Sequence, residues 1–385
     1  MKIKQASRLT QLPPYLFAEL DRKRDEVAAR GVDIIDLGVG DPDLPTPAPV
    51  VEAMVEAVRD ADTHHYPSYQ GMRDFRVAAA EFMGRRFGVE LDPDTQICAL
   101  IGSKEGLAHA PLAMVEPGDA VLYPSPGYPV YRIATIFAGG KPVSMPLSAD
   151  NNWLPDFTAI DKDDVEQATM MYLNYPNNPT GAIADGDFFK QTVSFAHEHE
   201  LALLHDAAYS ELCFDEYSAP SVLQQPGAID VAAEFHSLSK TANMTGWRIG
   251  FVAGNAEIVG AVGRIKTNID SGAFEAVQRA AITALDLPEK IYRDILAVYK
   301  ERRDVVVDGL RRAGIEVEAP QATFYVWFPV PGGDSAAFAG KVLEQTGVVL
   351  TPGIGFGAEG EGYARIALCR DTERLAEAME RIVRT

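Results

Sequence analysis

Cysteine and long apolar runs are both scarce in this sequence. The 385 residues include three cysteines, Cys98, Cys213 and Cys369, which lie far apart in apolar segments. An odd, dispersed set excludes a disulfide framework and predicts buried thiols in a reducing compartment. No apolar run approaches the roughly 20 residues of a membrane span, and the N-terminal residues lack the apolar core of a signal peptide. The sequence therefore predicts a soluble cytoplasmic protein.

Positive charge is scarce as well. The chain carries 35 lysines and arginines against 55 aspartates and glutamates, a formal net charge of −20. Nucleic acids and anionic membranes bind basic surfaces, so we expect neither as a partner. The length and the ordinary apolar content favour a large α/β domain with a smaller domain appended to it.

Short apolar runs separated by helical stretches recur through the middle of the chain. They span four or five residues each, at 97–101, 120–123, 169–173, 201–204 and 231–235. Near-continuous apolar runs of this length are typical of buried parallel strands. Each is followed by serine, lysine, tyrosine, asparagine or aspartate, and α/β sheets bind ligands beyond the carboxyl ends of their strands. The pattern predicts a mainly parallel sheet with one site along its carboxyl edge.

The pattern changes after residue 255. One long helical stretch is predicted over residues 275–313, strand-like segments at 324–328 and 363–368, and a helix at 335–346. With the N-terminal segment, these indicate a smaller α+β domain. We place the N-terminal arm and part of the small domain at residues 1–45, the large domain at 46–275 and the rest of the small domain at 276–385.

Lys240 is the most informative single residue. It follows an apolar run, with Ser237 and Ser239 before it and Arg248 eight positions after it. A lysine can bind an aldehyde covalently, and hydroxyls with a guanidinium suit a phosphate. Ser103 stands where a strand turns into a helix, and free amides there also favour an anion. The set predicts an aldehyde-bearing cofactor with a phosphate group, whereas an ordinary surface lysine is the alternative.

Several motifs together resemble one family. Asn178-Pro-Thr-Gly181, Asp206-Ala-Ala-Tyr209 and Ser237-Leu-Ser-Lys240, followed by Arg248 and Arg365, resemble the fold-type I pyridoxal-phosphate aminotransferases over nearly the whole chain. The resemblance implies an α/β fold, with a large domain whose mainly parallel sheet is flanked by helices and a smaller α+β domain. It also implies pyridoxal 5'-phosphate as the cofactor and ping-pong transamination as the reaction.

The resemblance assigns roles around the cofactor. Lys240 would hold it as an internal aldimine and then act as general base and acid, while Asp206 would keep the pyridine nitrogen protonated. Tyr209 and Asn178 would hydrogen-bond the phenolate oxygen, and Tyr128 would stack on the ring. The phosphate would be bound by Ser103, the backbone of Lys104, Ser237, Ser239 and Arg248. In isolation, Asp206 could instead cap a helix, Asn178 could be a turn residue, and Tyr128 could be a core or loop residue.

The resemblance also assigns residues to the substrate and to a second subunit. Arg365 would bind the α-carboxylate through its guanidinium fork, assisted by the backbone N–H of Gly40; an edge-strand salt bridge is the alternative for this arginine. Tyr128 and Asn178 would contact the substrate as well. Tyr66 resembles the family tyrosine that reaches the phosphate of the other subunit, which implies a homodimer with shared sites.

Within the family, residues 37–45, 101–106, 234–246 and 266–272 resemble the LL-diaminopimelate aminotransferases. That group moves an amino group between LL-2,6-diaminopimelate and 2-oxoglutarate, in lysine and peptidoglycan synthesis. Lys104 would place a cation near the substrate, and Tyr15 resembles a residue that closes over it. The alternatives are an aspartate, alanine or broad-range aminotransferase, a β-lyase on the same fold, and a non-enzymatic pyridoxal-phosphate sensor. Tyr128, where typical aspartate aminotransferases have tryptophan, argues against aspartate.

Two further motifs carry little functional weight. His197 and His199 stand two positions apart in a predicted helix, a spacing that separates the rings, so we expect no metal there. The segment Gly353-Ile-Gly-Phe-Gly357 does not have the spacing of a dinucleotide-binding loop and is interpreted as a structural loop.

Overall fold

The computed structural model describes residues 3–12 and 17–384, and for residues 17–21 it describes the backbone alone. Across this part of the chain, no helix combines the length and the apolar character needed to cross a membrane. Tyr15, the expected closing residue, lies outside the described residues.

The strands of the described chain divide among three sheets. They are β1 (Ile35–Asp36), β2 (Ile97–Leu100), β3 (Ala120–Ser125), β4 (Lys141–Pro146), β5 (Ala168–Asn174), β6 (Ala202–Asp206), β7 (Ala232–Ser237), β8 (Gly250–Gly254), β9 (Tyr325–Pro329), β10 (Val348–Val349), β11 (Thr351–Pro352) and β12 (Tyr363–Ala367).

The helices alternate with these strands through the first two thirds of the chain. They are α1 (Ser7–Thr10), α2 (Phe17–Ala29), α3 (Ala48–Arg59), α4 (Arg73–Phe87), α5 (Ser103–Met114), α6 (Val130–Ala138), α7 (Lys162–Glu166), α8 (Gly186–Glu198), α9 (Ala228–Val231), α10 (Leu238–Thr241), α11 (Ala256–Ile269), α12 (Glu275–Leu285), α13 (Glu289–Arg312), α14 (Ser335–Thr346) and α15 (Thr372–Val383).

The large sheet has seven strands in the order β2-β8-β7-β6-β5-β3-β4. The pairs from β7 through β6, β5 and β3 to β4 are parallel, whereas β8 runs antiparallel to both of its neighbours. One core cluster lies under helices α4, α8 and α12, and another lies under α5, α6 and α11. Helices on both faces explain why the strands read as continuous apolar runs. The predicted mainly parallel sheet is confirmed.

The remaining elements form a second core. Strands β11, β12 and β9 make an antiparallel sheet, and β1 pairs in parallel with β10. Apolar side chains of β9, β12, α13, α14 and α15 pack into one cluster. The proposed domain boundary near residue 45 falls in the loop between β1 and α3, and that near 275 falls at the start of α12.

Two expectations from the sequence need correction. The stretch at 275–313 is two helices, α12 and α13, and the break falls at residues 286–288. Pro288 is the residue before α13, where its missing N–H and fixed φ suit a helix start and not a helix interior. Of the three cysteines, Cys98 and Cys369 are buried, but Cys213 is only partly buried; all three are free thiols.

Candidate active site

A cavity of about 490 Å³ opens at the carboxyl edge of the large sheet, facing β9, β11 and β12. Its volume is in the range of small-molecule sites. The predicted residues that line it are Gly40, Ser103, Lys104, Tyr128, Asn178, Asp206, Tyr209, Ser237, Ser239, Lys240, Arg248 and Arg365. The fold therefore brings together residues that lie up to 325 positions apart in the chain (365 − 40).

Arg248 reaches this edge because β8 is antiparallel. The residue precedes Gly250, the first residue of β8, so it lies at the edge where the neighbouring strands end. Its guanidinium donates to the carbonyl of Thr245 at 2.9 Å and, more weakly, to Ser239 Oγ and the carbonyl of Ile101 at 3.4 Å. A parallel β8 would have placed this arginine at the opposite edge.

The N-terminus of α5 supplies anion-binding amides beside Arg248. Gly102, the residue before the helix, has a φ of +76°, and a Cβ there would come within 2.3 Å of Arg248 Nη2. Glu105 Oε2 accepts from the N–H of Ile101 at 2.9 Å, which stabilises the turn into the helix. The first amides of a helix have no partner within it, so Ser103 and Lys104 can present theirs to a phosphate.

Asp206 ends β6, and a turn follows it, so the helix-cap interpretation of this residue is wrong. Its side chain is 4% exposed; Oδ2 accepts from the Tyr131 hydroxyl at 2.8 Å, and Oδ1 accepts from the N–H of Ala208 at 3.3 Å. Burial raises the pKa of Asp206 to about 6, although the hydrogen bond from Tyr131 and the nearby His205 oppose the rise. The sequence analysis missed Tyr131, because no motif marks it.

Lys240 lies on the short helix α10, directly after β7. Its Nζ donates to the carbonyl of Gly40 at 3.1 Å and lies 5.3 Å from the ring centroid of Phe324. Removal of the ammonium group from water lowers the pKa of Lys240, and the charges of Cys369 and Asp41 partly oppose this. A lowered pKa favours the neutral amine, which is the form that reacts with an aldehyde.

Arg365 is a buried cation that has no acidic partner in the part of the chain that the structure describes. Its Nη1 donates to Asn178 Oδ1 and its Nη2 to the carbonyl of Gly38, both at 2.7 Å. Among the described residues, no carboxylate lies within ion-pair distance of it, and its Nε, although buried, has no hydrogen-bond partner. The residue as a whole is 6% exposed. A buried charge in this state needs a counterion, which a substrate carboxylate can supply.

Two aromatic residues that the sequence analysis missed enclose Arg365. The ring centroid of Tyr325 lies 4.1 Å from the guanidinium carbon and that of Phe356 lies 4.7 Å from it. Phe356 belongs to the glycine-rich segment interpreted as a structural loop, and its carbonyl accepts from the N–H of Gly127 at 2.9 Å. This loop therefore contributes Phe356 to the lining of the cavity. Phenylalanine between glycines gave no signal that could have indicated this.

Tyr325 also explains why position 40 is glycine. A Cβ at Gly40 would fall 2.0 Å from the Tyr325 hydroxyl, so any side chain there would displace the tyrosine. The same hydroxyl lies 3.2 Å from that of Tyr209. Thr351 Oγ1 and Arg365 both donate to the carbonyl of Gly38, which fixes the loop that places Gly40 beside Lys240.

Tyr66 is the one described candidate that does not line the cavity. Its side chain is 89% exposed. Other exposed large side chains lie nearby: Tyr69, Ile269 and Phe274. They are neighbours because the backbone of Gly272 lies against Ser68 and Tyr69. The place of Tyr66 therefore stays a prediction about a second subunit.

One carboxylate cluster outside the cavity resembles a metal site in composition. Ligand atoms of Glu105, His109 and Asp270 lie within 4.8 Å of one another. The Lys266 ammonium, however, lies 2.9 Å from Glu105 and 3.2 Å from Asp270. The protein's own cation thus pairs with both carboxylates, as a metal ion would.

The chain is similar to known proteins in both sequence and fold. The family model described as aminotransferase class I and II matches residues 32–382. The LL-diaminopimelate aminotransferase of Syntrophobacter fumaroxidans is 54% identical over 99% of both chains, and that of Aquifex aeolicus is 54% identical over 98% of both. The structure of apo-BacF from Bacillus subtilis superposes with a TM-score of 0.95 at 38% identity, covering 100% of this chain and 98% of BacF.

Proposed function

Because this chain belongs to the family of class I and II aminotransferases, we propose that it transfers an amino group between LL-2,6-diaminopimelate and 2-oxoglutarate. Transfer from LL-diaminopimelate to 2-oxoglutarate gives glutamate and an amino-oxo acid that cyclises with loss of water to tetrahydrodipicolinate. Lysine and peptidoglycan synthesis use the opposite direction, in which glutamate is the amino donor and LL-diaminopimelate is the product. The observation that carries the proposal is the 54% identity to a named LL-diaminopimelate aminotransferase over 99% of both chains. The BacF structure, at 38% identity, is clearly more distant.

The cofactor of the family is pyridoxal 5'-phosphate, and the residues of the cavity fit it. Its phosphate is matched by the α5 N-terminus with Arg248, its aldehyde by Lys240 and its ring nitrogen by Asp206. Gly102 supports the fit, because its missing Cβ leaves room for Arg248 beside the helix amides. When bound, the cofactor supplies an electron sink that stabilises negative charge on the substrate α-carbon.

The chain's own groups perform the remaining work. Arg365 and the N–H of Gly40 bind and orient the α-carboxylate, and Lys240 Nζ moves the proton from the α-carbon. The lowered pKa of Lys240 helps this amine act as a base near neutral pH. Asn178 and Tyr209 would donate toward the phenolate oxygen, Tyr128 would cover the ring, and Ser103, Ser237 and Ser239 would complete the phosphate site.

The cavity also suits the distal end of diaminopimelate, which carries both an ammonium and a carboxylate. Lys104 lines it as a cation, while Asp36 and Asp41 line it as carboxylates. Asp36 Oδ1 accepts from the N–H of Gly38 at 2.9 Å and so has a structural use. Asp41 lies near enough to Lys240 to affect the pKa of that amine. We therefore assign the distal ammonium to Asp41 and the distal carboxylate to Lys104.

The proposal includes a homodimer in the cytoplasm, with Tyr66 of each subunit reaching the phosphate site of the other. The exposure of Tyr66 supports this, since a tyrosine this open in a single subunit gains burial from a partner.

The deciding experiment is an amino-donor panel at saturating 2-oxoglutarate. We expect LL-diaminopimelate to have a higher kcat/KM than aspartate or alanine. Faster turnover of either would instead assign the chain to an aspartate, alanine or broad-range activity. Pyruvate release without an oxo-acid acceptor would indicate a β-lyase.

A further inference from the structure

Tyr131 does not line the cavity but contacts Asp206, which does. It lies near the start of α6, is fully buried, and donates its hydroxyl to Asp206 Oδ2 at 2.8 Å. Its ring stacks on that of Tyr172, with centroids 4.8 Å apart and planes inclined by 27°. The Tyr172 hydroxyl in turn donates to the carbonyl of Leu107 at 2.7 Å. Tyr131 is therefore held in one orientation from its ring face and from its hydroxyl end.

Tyr131 can act only as the hydrogen-bond donor toward Asp206. Burial raises the pKa of Tyr131 well above its usual value, and the nearby charge of Asp206 raises it further, so the phenol stays neutral. A neutral phenol that donates a hydrogen bond to a carboxylate stabilises the ionised form of that carboxylate. This effect opposes burial, which raises the pKa of Asp206.

The two oxygens of Asp206 have different surroundings. Oδ2 makes the short bond to Tyr131, whereas Oδ1 receives the long 3.3 Å bond from the N–H of Ala208. The titratable groups near Asp206 are two histidines, His205 of the same strand and His236 of β7, which both favour its ionised form, and the phenols of Tyr131, Tyr172 and Tyr209. Tyr131 alone among these groups donates a hydrogen bond to it.

We infer that Tyr131 is a positioning residue of this site, which holds Asp206 as an anion and leaves Oδ1 to the ring nitrogen of the cofactor. The inference rests on the proposed placement of pyridoxal phosphate, because only that placement brings the ring nitrogen to Asp206. If Tyr131 served packing alone, phenylalanine would replace it without effect on the cofactor.

The test compares three variants loaded with pyridoxal phosphate labelled with ¹⁵N in the ring. Tyr131→Phe removes the donor, Tyr172→Phe removes a comparable buried hydroxyl of the same stacked pair, and Asp206→Asn removes the carboxylate. The ¹⁵N chemical shift, followed with pH, reports the pKa of the ring nitrogen. We expect Tyr131→Phe to lower that pKa by about one unit or more, because without the donor Asp206 holds a proton more tightly itself and no longer faces the ring nitrogen as a full anion. Tyr172→Phe should leave it unchanged.

Steady-state kinetics give a second readout. Tyr131→Phe should lower kcat about tenfold with little change in KM, since the substrate contacts are untouched. Tyr131→His, whose imidazole can still donate, should restore much of the ring-nitrogen pKa and so remains informative if the phenylalanine variant folds poorly. A histidine variant that behaves like a donor-free site would overturn the inference.

The experiment distinguishes failure of the role assigned to Tyr131 from failure of the proposed cofactor placement. If Asp206→Asn shifts the ring-nitrogen pKa but Tyr131→Phe does not, Tyr131 has only a packing role. If Asp206→Asn also leaves that pKa unchanged, the proposed placement of the cofactor itself is wrong.

Discussion

Arg365 and Asn178 share a hydrogen bond of 2.7 Å although they lie 187 positions apart. A guanidinium only donates, so the acceptor is the carboxamide oxygen of Asn178, and the NH₂ group of the same side chain is left to donate elsewhere. The residue expected to donate to the cofactor's phenolate oxygen is thus oriented by the residue expected to bind the substrate carboxylate. Occupation of one site can therefore influence hydrogen bonding at the other.

Arg365 should be required by both substrates, because each carries an α-carboxylate. Arg365→Lys keeps the charge but loses the two-pronged donor, and we expect binding to weaken by about 2–4 kcal/mol. Steady-state kinetics with LL-diaminopimelate and with 2-oxoglutarate give the two KM values. Arg370→Lys, which changes an arginine that does not line the cavity, is the matched control. Unchanged KM values in Arg365→Lys would refute the carboxylate role.

Gly102 should be needed for cofactor binding and not only for its backbone conformation. Gly102→Ala places a Cβ against Arg248, whereas Gly88→Ala introduces a Cβ at a similar φ of +68° with nothing within 4 Å. Gly88→Ala, in the left-handed helical region, should cost about 1–2 kcal/mol of stability, and Gly102→Ala should cost more, because its ψ of 150° lies in a region that only glycine readily adopts. Only Gly102→Ala should weaken the affinity for pyridoxal phosphate, by about tenfold or more. Fluorescence titration of the cofactor-free proteins measures this, and equal affinities would contradict the assignment of the phosphate site.

Asp206 should destabilise the cofactor-free protein above neutral pH. Its pKa is about 6 in the folded chain against a model value of 3.8, so the folded state binds this proton more tightly than the unfolded state. Its contribution to stability is complete below pH 3.8 and is lost as the pH rises through about 6. A shift of about two units corresponds to a loss of about 3 kcal/mol. Asp206→Asn should therefore gain stability relative to the parent as the pH rises.

Urea unfolding of the cofactor-free protein across this pH range measures the effect. Asp215→Asn is the control of opposite sign: hydrogen bonds from Arg303 and Lys300 lower the pKa of Asp215 to about 2, so its contribution is lost as the pH falls through that value. A stability difference between parent and Asp206→Asn that does not vary with pH would show that the pKa of Asp206 is not raised.

Asp41 should distinguish LL-diaminopimelate from donors without a distal ammonium. Asp41→Asn keeps the shape of the side chain and removes its charge. We expect the KM for LL-diaminopimelate to rise about tenfold, the equivalent of about 1.4 kcal/mol, and the KM for glutamate in the reverse reaction to stay nearly constant. Equal effects on both substrates would mean that Asp41 acts on the α-amino end or on Lys240. In that case the distal ammonium has another partner.

The strands and the residues that follow them were predictable, because both are local properties of the sequence. A buried parallel strand has to be apolar along its whole length, and its carboxyl end shares one edge with the others, so Asn178, Asp206 and Lys240 could be placed together without coordinates. The interruption between α12 and α13 was missed although Pro288 marks it, since the apolar period continues on both sides. The strand β4 was missed because its residues are mostly exposed or half-buried and do not form an apolar run.

The sequence by itself determined the chemistry of the site: a lysine, a carboxylate, a phosphate-binding helix start and two key arginines. All of these except Arg365, which lies in the middle of β12, stand near the end or the beginning of a strand. Only the tertiary structure decided which neighbours act on these groups. Tyr131 meets Asp206 across 75 positions, and Tyr325 and Phe356 enclose Arg365 from different elements. Such contacts depend on how helices and sheets pack against one another, and the local spacing of residues in the chain carries no record of it.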